Sequence, residues 1–278
     1  MRYFAILFFC ASTLVAQQRI VSTAPGLTEI LFALGLGGNV VGVSEYCQFP
    51  EAAKSKPKVG NFLQPNLETI AALKPSAVYI IKNPVRLKQR LESLKLRVEE
   101  VDLETIPGIL AAIESIGAQT GKQREAAELK SNLEQRLARL KSSVKQRHKV
   151  AFLVGRTPQR LEGMIAVGRG SYLDSLLNAA GGDNIFSDAG TMYPKISIEQ
   201  LLSRQPAAIF EMGDSVHEGK SNTNYEAEVL RVWSTLPALQ AVKNHRVFPL
   251  NESIFVVPGP RFVDAAERFF ALLHGSKP

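Results

Sequence analysis

The spacing of hydrophobic positions along this chain changes several times between a strand-like and a helix-like period. Short runs rich in Val and Ile, at 19–22, 40–43, 77–81 and 98–101, read as buried strands. Between them apolar residues recur at helical intervals, which predicts helices starting near Leu27, Leu67 and Val85. A further strand is predicted at 150–154. Short buried strands alternating with helices indicate α/β lobes with mostly parallel sheets covered on both faces. In open sheets of this kind a ligand sits beyond the carboxyl ends of the strands.

The segment 121–148 interrupts that alternation. It is rich in Glu, Lys, Arg, Gln, Ala and Leu and has no proline. Leu129, Leu133, Leu137, Leu140 and Val144 fall on one helical stripe opposite a charged face. One long, rigid, one-sided helix is predicted there, bridging the two halves of the chain.

The chain repeats itself on either side of this helix. Asn66-Leu67-Glu68 runs to Pro75 ahead of the strand at 77–81, and Ser197-Ile198-Glu199 runs to Pro206 ahead of Ala207-Ala208-Ile209-Phe210. Asn66 and Ser197 are good N-caps, each Glu sits in the first helical turn beside the positive dipole end, and each Pro stops its helix. A second echo pairs 29–35, ahead of Asn39-Val40-Val41, with 174–180, ahead of Asn184-Ile185-Phe186. The organisation expected is a signal peptide at 1–16, an N-terminal α/β lobe at 17–120, the bridging helix at 121–148 and a C-terminal α/β lobe at 149–278.

The signal peptide is read from MRYFAILFFCASTLVA: one cation at Arg2, an apolar run, then small residues ending at Ala16. It implies export to the periplasm. Phe8 and Phe9 ahead of Cys10 argue against lipid attachment at that cysteine. Cleavage after Ala16 leaves Cys47 as the only cysteine, so no intramolecular disulfide can form. A small, buried, inert side chain is the ordinary expectation for Cys47.

Composition narrows the function. With 45% hydrophobic residues, 21% charged, 20 Gly and 15 Pro, the chain is globular, and disordered or disulfide-scaffold classes are excluded. The 33 Lys and Arg against 26 Asp and Glu give a net charge of +7. The cations are scattered, with no interleaved aromatic and basic strand and no zinc-finger spacing, so nucleic acid is not expected as a partner.

Catalytic signatures are missing. Gly42-Val43-Ser44-Glu45-Tyr46 has Tyr where a nucleophile elbow needs Gly, and Gly168-Arg169-Gly170-Ser171-Tyr172-Leu173 departs from a dinucleotide loop. The histidines at 148, 217, 245 and 274 have no second ligand at metal spacing, so no metal site is expected. His217 comes after a predicted strand and could overlook a cleft. The loops beyond strand ends are instead rich in Gly, Pro and aromatics. Tyr46, Phe62 and Tyr193 sit in turn-forming stretches where core packing is less available, which makes them candidates for an apolar ligand wall. Phe49 is expected to pack against its own lobe.

Taken together, the blocks Arg19-Ile20-Val21-Ser22-Thr23-Ala24-Pro25 with Thr28-Glu29, Val41-Gly42-Val43-Ser44, Asn66-Leu67-Glu68 with Pro75, and Ala180-Gly181-Gly182-Asp183-Asn184-Ile185-Phe186 are similar to those of the exported substrate-binding proteins of ABC importers for vitamin B12, iron-siderophores and haem. The resemblance implies the class III periplasmic binding protein fold, two α/β lobes joined by one long helix. It also implies a monomeric solute receptor with no enzymatic activity and no cofactor of its own. The cobalamin-binding members look closest, so cobalamin or another corrinoid is the ligand implied. Ala24, Pro25, Tyr46, Asn61, Phe62, Tyr193, Ser253 and Phe255 are the ligand-binding residues implied. Ser253 replaces an acidic contact of the cobalamin proteins, and Val256 and Val257 replace charged neighbours. Haem or a siderophore therefore remains open, with Tyr46, His217 or Arg156 meeting iron or anionic groups. The resemblance further implies that Glu68 and Glu199 dock on arginines of an inner-membrane permease. A secreted hydrolase using a carboxylate and Tyr in the cleft is the alternative from another class.

Overall fold

The computed structural model describes residues 18–61, 64–82, 86–212 and 224–275. The expected signal peptide, Phe62 and His217 lie outside the described residues. The first half runs β1 (Ile20–Ser22), α1 (Pro25–Ala33), β2 (Val40–Val43), α2 (Glu51–Lys54), α3 (Leu67–Ala72), β3 (Ala77–Ile81), α4 (Leu87–Ser93), β4 (Val98–Val101), α5 (Ile106–Thr120) and α6 (Gln123–Ser143). The second half runs β5 (His148–Gly155), β6 (Ile165–Ala166), α7 (Tyr172–Ala179), β7 (Gly182–Asn184), α8 (Ile198–Arg204), β8 (Ala208–Met212), α9 (Tyr225–Trp233), α10 (Gln240–Lys243), β9 (Val247–Leu250), a 3-10 turn (Ser253–Phe255) and α11 (Phe262–His274).

The strands form two separate sheets. The first is wholly parallel in the order β2-β1-β3-β4. In the second, β5 pairs parallel with β8, which pairs parallel with β9. The other edge of β5 is shared: β7 runs parallel along its beginning and β6 antiparallel along its end. Apart from β6, the order β7-β5-β8-β9 repeats the first sheet.

The repeat extends to the backbone between helix and strand. Asn66 accepts the Thr69 amide at the start of α3, and Ser197 makes a full capping box with Gln200 at the start of α8. Both helices end short of their proline, through a residue in the left-handed region: Lys74 at φ 46° before Pro75, and Gln205 at φ 43° before Pro206. β3 and β8 then begin two residues beyond each proline, and each sits inside its sheet between β1 or β5 and the outer strand.

The predicted long helix is present but shorter, spanning Gln123–Ser143. Gly121 takes a left-handed φ of 74° and separates it from α5. At the far end Val144 is already extended and His148 opens β5. Leu133, Leu137 and Leu140 are buried, with Leu129 and Val144 packed beside them, so the stripe faces inward. α6 packs on α5 on one side and on α11 and α7 of the second half on the other. Arg136 of α6 pairs with Asp264 and Glu267 of α11 at 2.6 and 2.7 Å. Beneath α11 lies a stack of phenylalanines: Phe269 stacks on Phe210 and on Phe255, with ring centroids 5.2 and 5.0 Å apart. Among the described residues no helix is long and apolar enough to cross a membrane.

Candidate ligand-binding cleft

All four strands of the first sheet end at one cavity of about 470 Å³. Ala24, Pro25 and Gly26 come after β1, Tyr46, Gln48 and Phe49 come after β2, Ile81 and Lys82 close β3, and Val101 to Glu104 close β4. The opposite wall comes from the second half of the chain, through Ser253, Val256, Val257, Pro258 and Arg261. The lining is predominantly apolar with a few charged groups at fixed points, as a small-molecule site requires.

A small polar knot sets the geometry of the first wall. Thr28 of α1 donates to Ser22 Oγ at 2.8 Å, and Cys47 Sγ lies 3.1 Å from Thr28 Oγ1 and 3.2 Å from Ser44 Oγ. Cys47 has no exposed surface, and burial pushes its thiol up from its ordinary range. The cysteine is therefore an inert pin and does not face the cleft. With Cys47 turned in, its loop neighbours turn out: Tyr46 is 40% exposed and Phe49 46%.

The two walls meet through Glu29 and Arg261. The guanidinium donates from Nε to Oε2 at 2.9 Å and from Nη2 to Oε1 at 2.5 Å, a bidentate fork. Glu29 is buried, and desolvation raises its carboxyl pKa despite the opposing pull of Arg261. Arg261 also lies over the Phe49 ring, 4.1 Å from its centroid. Nearby, burial and the Glu29 carboxylate push the Tyr172 phenol far above its usual range. The Tyr172 hydroxyl is buried without a hydrogen-bond partner among the described residues.

Of the residues expected to meet a ligand, Ala24, Pro25, Tyr46 and Ser253 line the cavity. Asn61 does not: its carboxamide oxygen accepts the Gln64 amide at 2.8 Å and shapes a turn. Tyr193 is exposed on the second lobe, outside the cavity lining, with its phenol raised by partial burial and then by the Glu104 carboxylate of the opposite wall. It does not line the cavity. Phe255 is a correction. The 3-10 turn points its ring inward, where it stacks on Phe269 with no exposed surface. Phe49 is a correction in the other sense, since it lines the cavity instead of packing into its own lobe. Arg156, considered for anionic groups, is also corrected. Its side chain is only 5% exposed, and it pairs with buried Glu211 at 2.9 Å and with Glu228 at 3.5 Å.

Sequence reasoning missed Glu29 and Arg261 as a unit and also missed Gln48, Lys82, Asp102 and Glu104. For Gln48, Lys82, Asp102 and Glu104, a position just beyond a strand end was the available signal. Glu68 and Glu199 occupy equivalent first-turn positions of α3 and α8 and are exposed. The Glu199 carboxyl is held below its ordinary value, chiefly by the Ser197 side chain. Among the described residues no group of three His, Cys, Asp or Glu side chains is placed to hold a metal ion.

Two α/β lobes facing one another across an apolar cleft define a solute receptor. The sequence from 20 to 253 matches the family described as "Periplasmic binding protein", and the chain belongs to that family. It is 30% identical over 253 residues to the vitamin B12-binding protein of Vibrio cholerae serotype O1, covering 90% of this chain and 87% of that one. The solved structure of the periplasmic vitamin B12 binding protein BtuF of Vibrio cholerae matches with a TM-score of 0.73 at 30% identity, covering 92% of this chain and 96% of that chain. A periplasmic heme binding protein from Pseudomonas aeruginosa matches with a TM-score of 0.80 at 25% identity, covering 94% of each. The fold is accordingly the class III periplasmic binding protein fold.

Proposed function

We propose that this protein is the periplasmic solute-binding component of an ABC importer, and that it captures cobalamin or a related corrinoid between its lobes. The observation that carries the reading is the apolar cleft walled by Tyr46 and Phe49 on one side and by Val256, Val257 and Pro258 on the other. A flat conjugated ring system fits such a wall, because aromatic side chains offer large rigid contact at little cost in side-chain freedom. The similarity to vitamin B12-binding proteins supports the choice of ligand. The corrinoid is cargo, the protein has no cofactor of its own, and no bond is made or broken. The receptor acts as an exported monomer. Tyr193, exposed on the second lobe, completes the enclosure when the lobes close on the ligand.

Delivery to an inner-membrane permease uses Glu68 and Glu199. Each lobe presents one exposed carboxylate at the same place in the repeat, so two charges steer and orient the docked complex rather than hold it. α6 packs against helices of both halves and limits the hinge, so closure is modest.

Titration of the purified protein with cyanocobalamin, followed by calorimetry and visible absorbance, tests the reading. Saturable one-to-one binding is the result expected. Haem in a parallel titration tests the second reading, for which the exposed phenol of Tyr46 is an oxygen ligand suited to ferric iron. A Soret shift without cobalamin binding would move the ligand to haem and leave the transport role in place.

A further inference from the structure

Arg261, a second-lobe residue, makes two different contacts with the first lobe at the cleft. Its fork covers a carboxylate that has almost no other access to solvent, Glu29 of α1. The same guanidinium backs the Phe49 ring, whose exposed remainder lines the cavity. The surrounding backbone is pressed equally close. A Cβ placed on Gly26 would lie 1.9 Å from the Pro258 carbonyl oxygen, so only glycine admits the approach of the 258–261 segment to the start of α1.

We propose that Arg261 is a positioning residue that makes the aromatic wall of the cleft conditional on lobe contact. When the lobes part, one guanidinium leaves two first-lobe groups together. Glu29 loses its counter-charge and Phe49 loses the cation behind it, so the ring no longer stands fixed toward the ligand. Opening the receptor and dismantling its binding wall are then a single event, and a permease that separates the lobes releases the ligand without touching it. The fork is rigid and planar, which is why Lys cannot make both contacts at once. The inference rests on the solute-receptor reading above.

The test combines a double-mutant cycle with a distance measurement. Cyanocobalamin affinity is measured for the wild type, Arg261→Gln, Phe49→Ala and the double variant. Each single change is expected to weaken binding about tenfold. The double variant is expected to be no more than about threefold weaker than the poorer single, because both act through one ring. Independent losses that multiply to about a hundredfold would overturn the proposal. In the second arm, spin labels are placed at Glu92→Cys and Glu226→Cys, exposed positions of the two lobes, in a Cys10→Ser background with buried Cys47 left in place. Without ligand, Arg261→Gln should lengthen and broaden the interlobe distance distribution, and Phe49→Ala should leave it unchanged. An unaltered distribution in Arg261→Gln would overturn the tie between lobes. If Arg261→Gln does not fold, Arg261→Lys is used in both arms and is expected to behave as the Gln variant, with wild-type behaviour overturning the proposal. Failure of the wild type to bind cyanocobalamin would count against the ligand assignment, while the distance arm would still decide the role of Arg261.

Discussion

Lys74 and Gln205 hold the same left-handed backbone in the two halves of the molecule, at φ 46° and 43°, each immediately before the proline that precedes an inner strand. Neither residue is glycine, so each carries a steric cost of about 1–2 kcal/mol that glycine would avoid. Glycine adds back about 0.4–1 kcal/mol of unfolded-chain entropy. Lys74→Gly should therefore raise stability by about 0.5–1 kcal/mol, the difference between those two effects. Lys74→Val, with a branched Cβ in the same conformation, should lower it. Urea denaturation of the two variants and the wild type checks the sign.

This pair also shows what a linear reading can reach. Cap, short helix, proline and strand are local signals, and both copies of the repeat, together with most strand bounds of the first sheet, were legible from them. The Glu29–Arg261 fork was not, because its partners stand 232 positions apart and neither has a distinctive neighbourhood. Phe49 and Phe255 were exchanged for a related reason. An aromatic in a short turn carries the same local pattern whether it faces a cleft or a core, and the choice was made by neighbours. Cys47 turns in and sends Phe49 out, and the 3-10 turn sends Phe255 onto Phe269. The break at Gly121, which makes α5 and α6 two helices, lay at the edge of the segment expected to be continuous.

That exchange separates binding from stability. Tyr46→Ala should weaken cyanocobalamin binding by about 10–100-fold, the equivalent of losing about 1.5–3 kcal/mol of aromatic contact, with little change in melting temperature. Phe255→Ala should do the reverse, costing about 3–5 kcal/mol of stability through the cavity it leaves beneath α11. Calorimetric titration and thermal melts on the same preparations distinguish the two.

Arg156 gives a second stability prediction. Its partner Glu211 is 2% exposed, and that carboxylate also accepts the Trp233 indole at 2.5 Å. Burial already raises the Glu211 carboxyl pKa. Arg156→Met would leave that charge uncompensated, at a cost of about 3–5 kcal/mol. Arg156→Met combined with Glu211→Gln should recover part of the loss, because the amide carries no charge to strand. Denaturation midpoints of the three proteins check it. A full loss of stability in the double variant would show that packing, not charge, dominates at this site.

His148 sets a pH dependence. Its pKa is lowered, first by burial, then by Arg246 and by His274, with Asp183 opposing. The folded protein thus holds fewer protons at this ring than the unfolded chain does between the two pKa values. Stability from this group is complete above the ordinary value of 6.5 and is lost as pH falls through the lower, folded value. Glu29 and Glu211 run the other way. Their folded values are raised, so their contribution is complete below the ordinary value of 4.5 and is lost as pH rises through the folded one. The total melting curve against pH carries both contributions, which have opposite sign. Subtracting a His148→Gln variant isolates the histidine, since the variant keeps both carboxylates and removes the titrating ring. The melting temperature of the wild type relative to His148→Gln should therefore decline as pH is lowered from about 7.5 to about 5. A difference that stays constant across that range would place the His148 ring in solvent, with the same affinity for protons in the folded and unfolded chain.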